Sequence, residues 1–157
     1  GFDGVRRARS GTAETTVALP FTPDTILAGP DGQWIVTGEG TAALVADGAL
    51  VAPYPVGRGE GRADVHWSGV EPVLATRDAD GGLLLTRMRD GRQLSIAVVL
   101  RWDQRFAIAR SGARYFAPVE VQDLVHLRSG ATDLLGPTSS AEAALEPSLV
   151  ESFLRGE

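Results

Sequence analysis

From Val17 onward, short apolar runs alternate with polar turns along the chain. The runs include QWIVTG, PVLAT, LSIAVVL and RFAIA, and the segments between them, such as GPDG, DADGG and RDG, are rich in glycine and aspartate. Runs of this kind bounded by Asp-Gly and Gly-Gly steps are typical of β-strands joined by hairpin turns, because glycine readily adopts the positive φ that these turns require. The pattern predicts a mainly β fold, an antiparallel meander of about ten to twelve short strands.

The apolar runs differ in whether residue types alternate along them, and so in the expected composition of the two strand faces. Some alternate in type, as from Trp34 to Thr37, and alternation indicates a strand whose two faces meet different surroundings. The run from Ile96 to Leu100 is apolar at every position. That pattern predicts a strand covered on both faces.

The first residues of the chain do not share this pattern. Residues 1–16, GFDGVRRARSGTAETT, are polar and rich in glycine. They predict a flexible N-terminal arm, followed by a single β-rich domain over residues 17–157. The three arginines of the arm offer an alternative interpretation as an anion-binding tail, although Asp3 and Glu14 offset part of their charge.

The end of the chain changes to a helical pattern. Ser139 stands three residues before Glu142, which is the spacing of a capping box, and Pro147 marks the first turn of a second helical piece. The apolar residues that follow lie at helical intervals and form one stripe: Leu145, Leu149, Val150, Phe153 and Leu154. The pattern predicts a terminal helix over residues 139–155 whose stripe closes the β core, with a partner-docking stripe as the alternative.

Composition limits the function classes. A chain of 157 residues, 43% of them apolar, can bury a core as one domain without staples. All 15 basic residues are arginines, and lysine, asparagine and cysteine are absent, which indicates a bacterial genome of high GC content. The 20 acidic residues give a net charge of −5, which opposes binding to nucleic acid or to an anionic lipid surface. The lack of cysteine excludes disulfides, thiolate nucleophiles and zinc sites built on cysteine.

The sequence gives little information on location. No apolar run approaches the roughly 18 residues that a membrane-spanning helix needs, and the N-terminus lacks the charged-then-apolar order of a secretory signal. The chain begins at Gly1, which suggests a trimmed or processed chain or a piece of a longer protein. The compartment therefore stays open, with the cytoplasm favoured.

Three stretches repeat one order of features: an apolar strand, a glycine turn, a second strand and a further glycine turn. They start at Trp34, Val73 and Phe106, which are 39 and 33 residues apart (73 − 34 and 106 − 73). The middle stretch is preceded by His66 and Trp67, continues through VLAT and an Asp-Gly turn, and ends on RDGR. Over about residues 30–135 the chain resembles degenerate blades of a WD40-type β-propeller. This resemblance implies a non-enzymatic platform that binds another protein on a rim or face.

The strands could be closed in different ways. A propeller ring usually needs at least about four blades, so three blades would leave strand edges for a partner or a second copy to cover. A closed barrel or a two-layer sandwich of the same strands would cover its own edges at this length. Both architectures, barrel or sandwich and partial propeller, stay open at this point.

Residues that could carry catalysis or bind a metal are few. Asp78 and Asp80 have the spacing of the start of a calcium loop, but the following residues read as a strand, so a tight hairpin turn is the favoured interpretation. His66 and His126 lie in apolar runs without a second histidine or glutamate at ligand spacing. The candidate serines occupy Ser-Gly turns, and no Gly-x-Ser-x-Gly elbow occurs. We therefore predict no catalytic residue, no metal and no cofactor, and enzymatic activity is disfavoured.

Binding residues are more plausible than catalytic ones. The glycine-rich loop VGRGEGR follows Tyr54, and Trp102 lies between charged residues in LRWDQRF. Mobile loops on β scaffolds and aromatic rings beside arginine are common in interfaces. The candidate binding residues are Tyr54, Arg58, Arg62, His66, Trp67 and Trp102.

The function hypothesis follows from these residues and from the edge problem. We predict a non-catalytic protein-binding module or assembly subunit that binds another protein, or itself, through strand edges, loops and an apolar rim. The alternative is a β-barrel that binds a small apolar ligand, with a cavity left by the small residues of AALVA and FAIA. A pocket containing His66 or His126 could then support enzymatic activity.

Overall fold

The computed structural model describes most of the chain in separate segments. These are residues 5–10, 13–51, 53–56, 63–67, 71–77, 81–125, 127–129, 133–135 and 145–157. The described residues are mainly β with one C-terminal α-helix, which confirms the predicted fold class.

The described strands number fifteen, more than the ten to twelve that the turn pattern predicted. In chain order they are β1 (Val5–Ser10), β2 (Ala13–Ala18), β3 (Thr25–Ala28), β4 (Trp34–Gly38), β5 (Thr41–Ala46), β6 (Ala49–Leu50), β7 (Tyr54–Pro55), β8 (Asp64–Trp67), β9 (Pro72–Arg77), β10 (Leu83–Arg87), β11 (Gln93–Arg101), β12 (Gln104–Ser111), β13 (Arg114–Phe116), β14 (Leu127–Ser129) and β15 (Asp133–Leu135). The helices among the described residues are α1 (Leu149–Arg155) and two 3-10 segments, Pro30–Gly32 and Val119–Leu124.

Two antiparallel sheets form the body of the fold. Sheet I has the order β3-β4-β5-β6, with β7 also paired to β5, and sheet II has the order β13-β12-β11-β10-β9-β8. β1 pairs with β2 and β14 with β15 in two further hairpins. Both large sheets are open, since no pairing among the described strands joins their edges, so these strands do not form the closed barrel.

The turns explain why consecutive strands pair. Glu39-Gly40 joins β4 to β5, and Asp47-Gly48 joins β5 to β6; all four residues have positive φ, between 52° and 73°. Positive φ at both central residues is the geometry of a type I′ turn, whose twist matches that of the flanking strands. Glycine at the second position makes this geometry easy to adopt.

The two sheets share one core. Ile35 and Leu44 of sheet I pack with Leu74 of β9 and with Met88, and these side chains are essentially without solvent contact. The packing is through side chains, as in two-layer β folds. The alanines that the sequence assigned to a ligand cavity in AALVA are packed as well, Ala42 in this core and Ala43 on the other face of sheet I.

Residues near the N-terminus pack on the outer face of sheet I, and α1 packs on part of the outer face of sheet II. Val17 and Phe21 pack on sheet I against Val36, Ala43 and Val45. On sheet II, Leu149 and Phe153 of α1 pack against residues of the central strands and of β13, namely Val73, Leu94, Ala109 and Phe116. The result is a layered fold with sheet II between sheet I and α1.

The N-terminal segment has more regular structure than the sequence predicted. β1 and β2 pair from Val5↔Ala18 to Ser10↔Ala13, so most of the arm predicted over residues 1–16 lies in a hairpin. Thr15 and Thr16 are β-branched residues that favour a strand despite their polarity. The flexibility of this segment stays a prediction.

Within the described residues, the C-terminal helix covers the last part of the stretch predicted over residues 139–155. Residues 139–144 lie outside the described part, and Leu145 forms a parallel bridge with Tyr115 instead of a helical turn. Pro147 disfavours the helical conformation at the residue before it. α1 spans Leu149–Arg155 and is followed by Gly156, a left-handed cap with φ 86°.

The three repeat starts fall on strands. Trp34 opens β4, Val73 lies in β9 and Phe106 in β12. The second and third repeats belong to one sheet, because β11 pairs with β12 over seven residues from Ser95↔Arg110 to Arg101↔Gln104.

Candidate functional site

Two of the aromatic residues predicted to bind a partner contribute to the core. Tyr54 is half-buried, and its hydroxyl donates a hydrogen bond to the carbonyl of Arg89 at 3.0 Å. Trp67 is half-buried at the end of β8, and its ring lies so close to Gly29 that a Cβ there would be 2.5 Å away. Both rings pack against the core between the sheets, so structural packing accounts for them.

The other predicted residues do not join them in one site. His66 is exposed on β8, and it points away from the core because Val65 and Trp67 point into it. Arg58, Arg62, Asp78, Asp80 and His126 lie outside the described residues. Within the described residues, only Trp102 of the predicted set leads to a surface site.

Trp102 lies at the tip of the long hairpin formed by β11 and β12, and its side chain is 70% exposed. Trp102 and Asp103 have φ values of 50° and 61°, so they are the two central residues of a type I′ turn. Left-handed backbone costs a residue with a Cβ about 1–2 kcal/mol, less for aspartate. This turn has no glycine to avoid that cost.

The ring of Trp102 is held in place by its neighbour. The guanidinium of Arg101 stacks on the indole at 4.2 Å from the ring centroid. Arg101 also donates to the carbonyl of Glu120 and pairs with Asp123, both in the 3-10 helix Val119–Leu124. The hairpin tip is thus fixed to a second element, which orders the tryptophan before any partner binds.

An exposed apolar row leads from the sheet to this tip. Val98 and Leu100 of β11 are 63% and 71% exposed, and Leu83 of β10 is 40% exposed. Leu83 lies directly opposite Ile96, and Ile96, Val98 and Leu100 follow at two-residue spacing on one face of β11. Leu83, Val98 and Leu100 share this face, and Trp102 lies in the turn beyond them, stacked on Arg101. We call these four residues the apolar strip.

The expectation that Ile96 to Leu100 is covered on both faces is wrong for Val98 and Leu100. One face of β11 is covered near the tip, where Val99 packs with Phe106 and Val121. The other face is covered by α1 only at its base, where Leu94 is buried and Ile96 is partly buried. β10 also ends its pairing with β11 at Ile96, so the sheet narrows beyond this point to the two strands of the hairpin.

Arginines border the apolar strip. Arg77 lies opposite Leu83 on β9, and Arg105 lies opposite Leu100 on β12. Directly opposite residues of antiparallel strands point to the same face, so both cations flank the strip on its own side of the sheet. Both arginines are exposed, and neither forms an ion pair with another described residue.

The buried charges have structural partners. A carboxylate oxygen of Glu71 accepts a hydrogen bond from the backbone N–H of Arg89 at 2.7 Å. Arg87 forms an ion pair with Asp90 at 2.9 Å. It also donates a hydrogen bond to the carbonyl of Gly156, the residue that follows α1. Among the described residues, no group of three or more His, Asp or Glu side chains is arranged to bind a metal.

Comparisons with known proteins add no assignment. No protein family, curated protein or solved structure matches this chain. None of the helices in the described segments has the length and apolar character needed to cross a bilayer. The likeness to propeller blades stays a prediction from the sequence.

Proposed function

We propose that the protein is a non-catalytic protein-binding module that engages its partner through the apolar strip. The observation that carries the proposal is a set of neighbouring exposed apolar residues: Leu83 on β10, Val98 and Leu100 on one face of β11, and Trp102 at the tip of the projecting hairpin. Contiguous exposed apolar patches on soluble domains mark interaction sites. The proposal keeps the apolar rim expected from the sequence and assigns it to β11 and its neighbours.

The energetics of the strip support a binding role. Burying a leucine or valine side chain stabilises a complex by about 1.5–3 kcal/mol each. Tryptophan is the residue most enriched at binding hot spots, and an ordered tryptophan loses little side-chain entropy on binding. The unfavourable backbone of Trp102 and Asp103 points the same way, since such strain is concentrated at functional sites.

The experiment compares the wild-type chain with Leu100→Ser and with a matched control, Ile26→Ser. Ile26 is 52% exposed on β3 of sheet I, so both changes remove an exposed branched side chain from a strand. Each immobilised protein is incubated with native lysate, and captured proteins are measured by quantitative mass spectrometry. Light scattering gives the solution mass of each variant, and far-UV circular dichroism checks the fold.

We expect a partner that the wild type and Ile26→Ser retain equally and that Leu100→Ser retains at least about tenfold less. Tenfold corresponds to about 1.4 kcal/mol, within the range for one buried leucine. The proposal is contradicted if the wild-type protein is a monomer that captures no partner. It is also contradicted if Leu100→Ser captures the partner as well as the wild type does.

A further inference from the structure

We infer that the occupant of the apolar strip is an acidic, amphipathic helix of a partner protein, which lies on sheet II beside α1. The inference rests on the proposed function and adds the class of partner. Three features of the described residues carry it: the continuity of the strip with the footprint of α1, the length of the strip, and the charge at its border.

The strip continues the surface on which α1 already lies. Leu94 is buried under Leu149 and Phe153 of α1, and Ile96, two residues further along β11, is partly buried against the same cluster. Val98 and Leu100 extend this face at the same spacing, and both are exposed, with no helix among the described residues packed on them. The base of this face therefore already packs against a helix. Its outer half, at Val98 and Leu100, is exposed.

A helix covers this surface better than an added strand. β11 has a second possible contact, its outer edge beyond Ile96, where β10 no longer pairs. A strand added there would bond in the plane of the sheet, so Val98 and Leu100 would stay in water because they project out of that plane. A helix laid across the face would remove both side chains from water.

The length of the strip sets the length of the helix. From Ile96 to Trp102 the chain advances six residues, which corresponds to about 20 Å of strand. About 14 helical residues span the same distance. Such a helix would present apolar residues at positions i, i+3 or i+4, i+7 and i+11.

The border charges select an acidic partner. Arg77 and Arg105 flank the strip at its two ends, and the strand residue opposite Val98 is the small Ala107. Acidic residues beside the apolar stripe of the helix would pair with these arginines and would speed association. Two copies of this chain related by a two-fold axis through the strip would bring like charges together, which disfavours a second copy as the occupant.

The test is a selection of binders from a displayed library of random 16-residue peptides. The full chain serves as the target, and its Leu100→Asp variant is used for counter-selection. We expect enriched peptides with helical spacing of Leu, Phe or Trp and with Asp or Glu flanking the stripe. Selected peptides should gain helicity on binding, as measured by circular dichroism.

Charge reversal then tests the border. Arg105→Glu should weaken binding of a selected peptide at least about tenfold. The control Arg110→Glu should change it less than about twofold, since Arg110 is exposed on the same strand but five residues on and on the opposite face. Arg77→Glu should act like Arg105→Glu.

The possible outcomes separate this inference from the proposed function. If the peptides that require Leu100 alternate apolar and polar residues, or are basic, an acidic helix is excluded as the occupant. The strip then remains a binding site for another kind of partner. A dimer seen by light scattering and lost in Leu100→Asp makes a second copy the occupant and also overturns it. Failure to enrich any Leu100-dependent peptide overturns the inference, whereas the proposed function fails only if lysate capture does not depend on Leu100.

Discussion

At the scale of single residues, the most informative positions are those where the backbone adopts an unusual conformation. Three tight turns pair a positive-φ residue with glycine: Asp31-Gly32, Glu39-Gly40 and Asp47-Gly48. The hairpin tip instead has Trp102 and Asp103. At this tip Asp103 stands where the other three turns have glycine, and Trp102 stands where they have an acidic residue. The tip therefore has the less favourable turn sequence and an exposed tryptophan.

Asp103→Gly should therefore stabilise the protein. Glycine adopts φ near 61° without a Cβ penalty, so we expect the free energy of unfolding to rise by about 0.5–1 kcal/mol. Urea denaturation measures the change. Asp103→Ala is the control, because alanine keeps the Cβ and loses the local hydrogen bonding of aspartate; it should be no more stable than the wild type. Equal gains in both variants would contradict the argument.

Gly38 is required for a different reason, the close approach of another segment. A Cβ at Gly38 would lie 1.9 Å from the carbonyl oxygen of Thr22, which belongs to the backbone. Gly38→Ala should reduce the free energy of unfolding by about 3 kcal/mol, because β4 or the segment before β3 must move.

Gly112→Ala is the control for that change. Gly112 has φ 58° and open space around its Cβ position, so alanine there should cost only about 1 kcal/mol of backbone strain. Denaturation of both variants under the same conditions gives the comparison. A smaller loss for Gly38→Ala than for Gly112→Ala would show that the contact with Thr22 is not restrictive.

Residue type alone could not separate core from surface aromatics. Tyr54 and Trp67 were among the residues predicted to bind a partner, yet both pack against the core between the sheets. In β8 the side chains alternate, and His66 points outward while Trp67 points inward. Which of the two faces the core depends on how β8 pairs with β9, and sequence alternation alone does not determine this. Trp102 differed in its sequence surroundings, between charged residues, and it is exposed in the structure. Its role in binding stays a prediction.

At the scale of secondary structure elements, the hairpins could be predicted from the sequence. Which strand faces are covered by another layer could not. The starts of the three repeats fall on strands because glycine turns are local signals. The uncovered face of β11 depends on where β10 stops pairing and on which residues α1 reaches, both of which involve distant parts of the chain. The apolar run around Val98 and Leu100 has the same sequence pattern whether or not another layer covers it, so the pattern does not distinguish the two cases.

The attachment of α1 to sheet II can be tested by comparing two neighbouring helix residues. Phe153 is buried against Leu94 and lies 6.0 Å from the guanidinium of Arg87, whereas Leu154 is 42% exposed. Phe153→Ala should lower the free energy of unfolding by about 3–4 kcal/mol. Leu154→Ala should lower it by less than about 1 kcal/mol. Urea denaturation of the two variants measures this difference, and similar losses would contradict the described packing of α1.

At the scale of the whole molecule, side-chain packing joins the two sheets into one unit. Ile35 and Leu44 belong to sheet I and Leu74 to sheet II, and they lie in the same buried cluster. No strand of one sheet pairs with a strand of the other among the described residues. The stability of each sheet should therefore depend on the same few side chains.

Leu74→Ala tests this dependence. Leu74 has no solvent exposure, so we expect a loss of about 3 kcal/mol in the free energy of unfolding, with Leu83→Ala as an exposed control that loses less than about 1 kcal/mol. Native-state hydrogen exchange should show faster exchange of amides in β4 and β5 as well as in β9 and β10. Unchanged protection of β4 and β5 would show that the sheets unfold independently.

The order of pairing also governs how the chain folds as it is synthesised. In sheet I, nearly every ladder joins strands adjacent in sequence, and its last strand, β7, ends at Pro55. Such local pairings form quickly, so this sheet can assemble on the ribosome while the second half is still being translated. Until β9 emerges, however, Ile35 and Leu44 have no opposing layer, and the nascent chain is then at its greatest risk of aggregation.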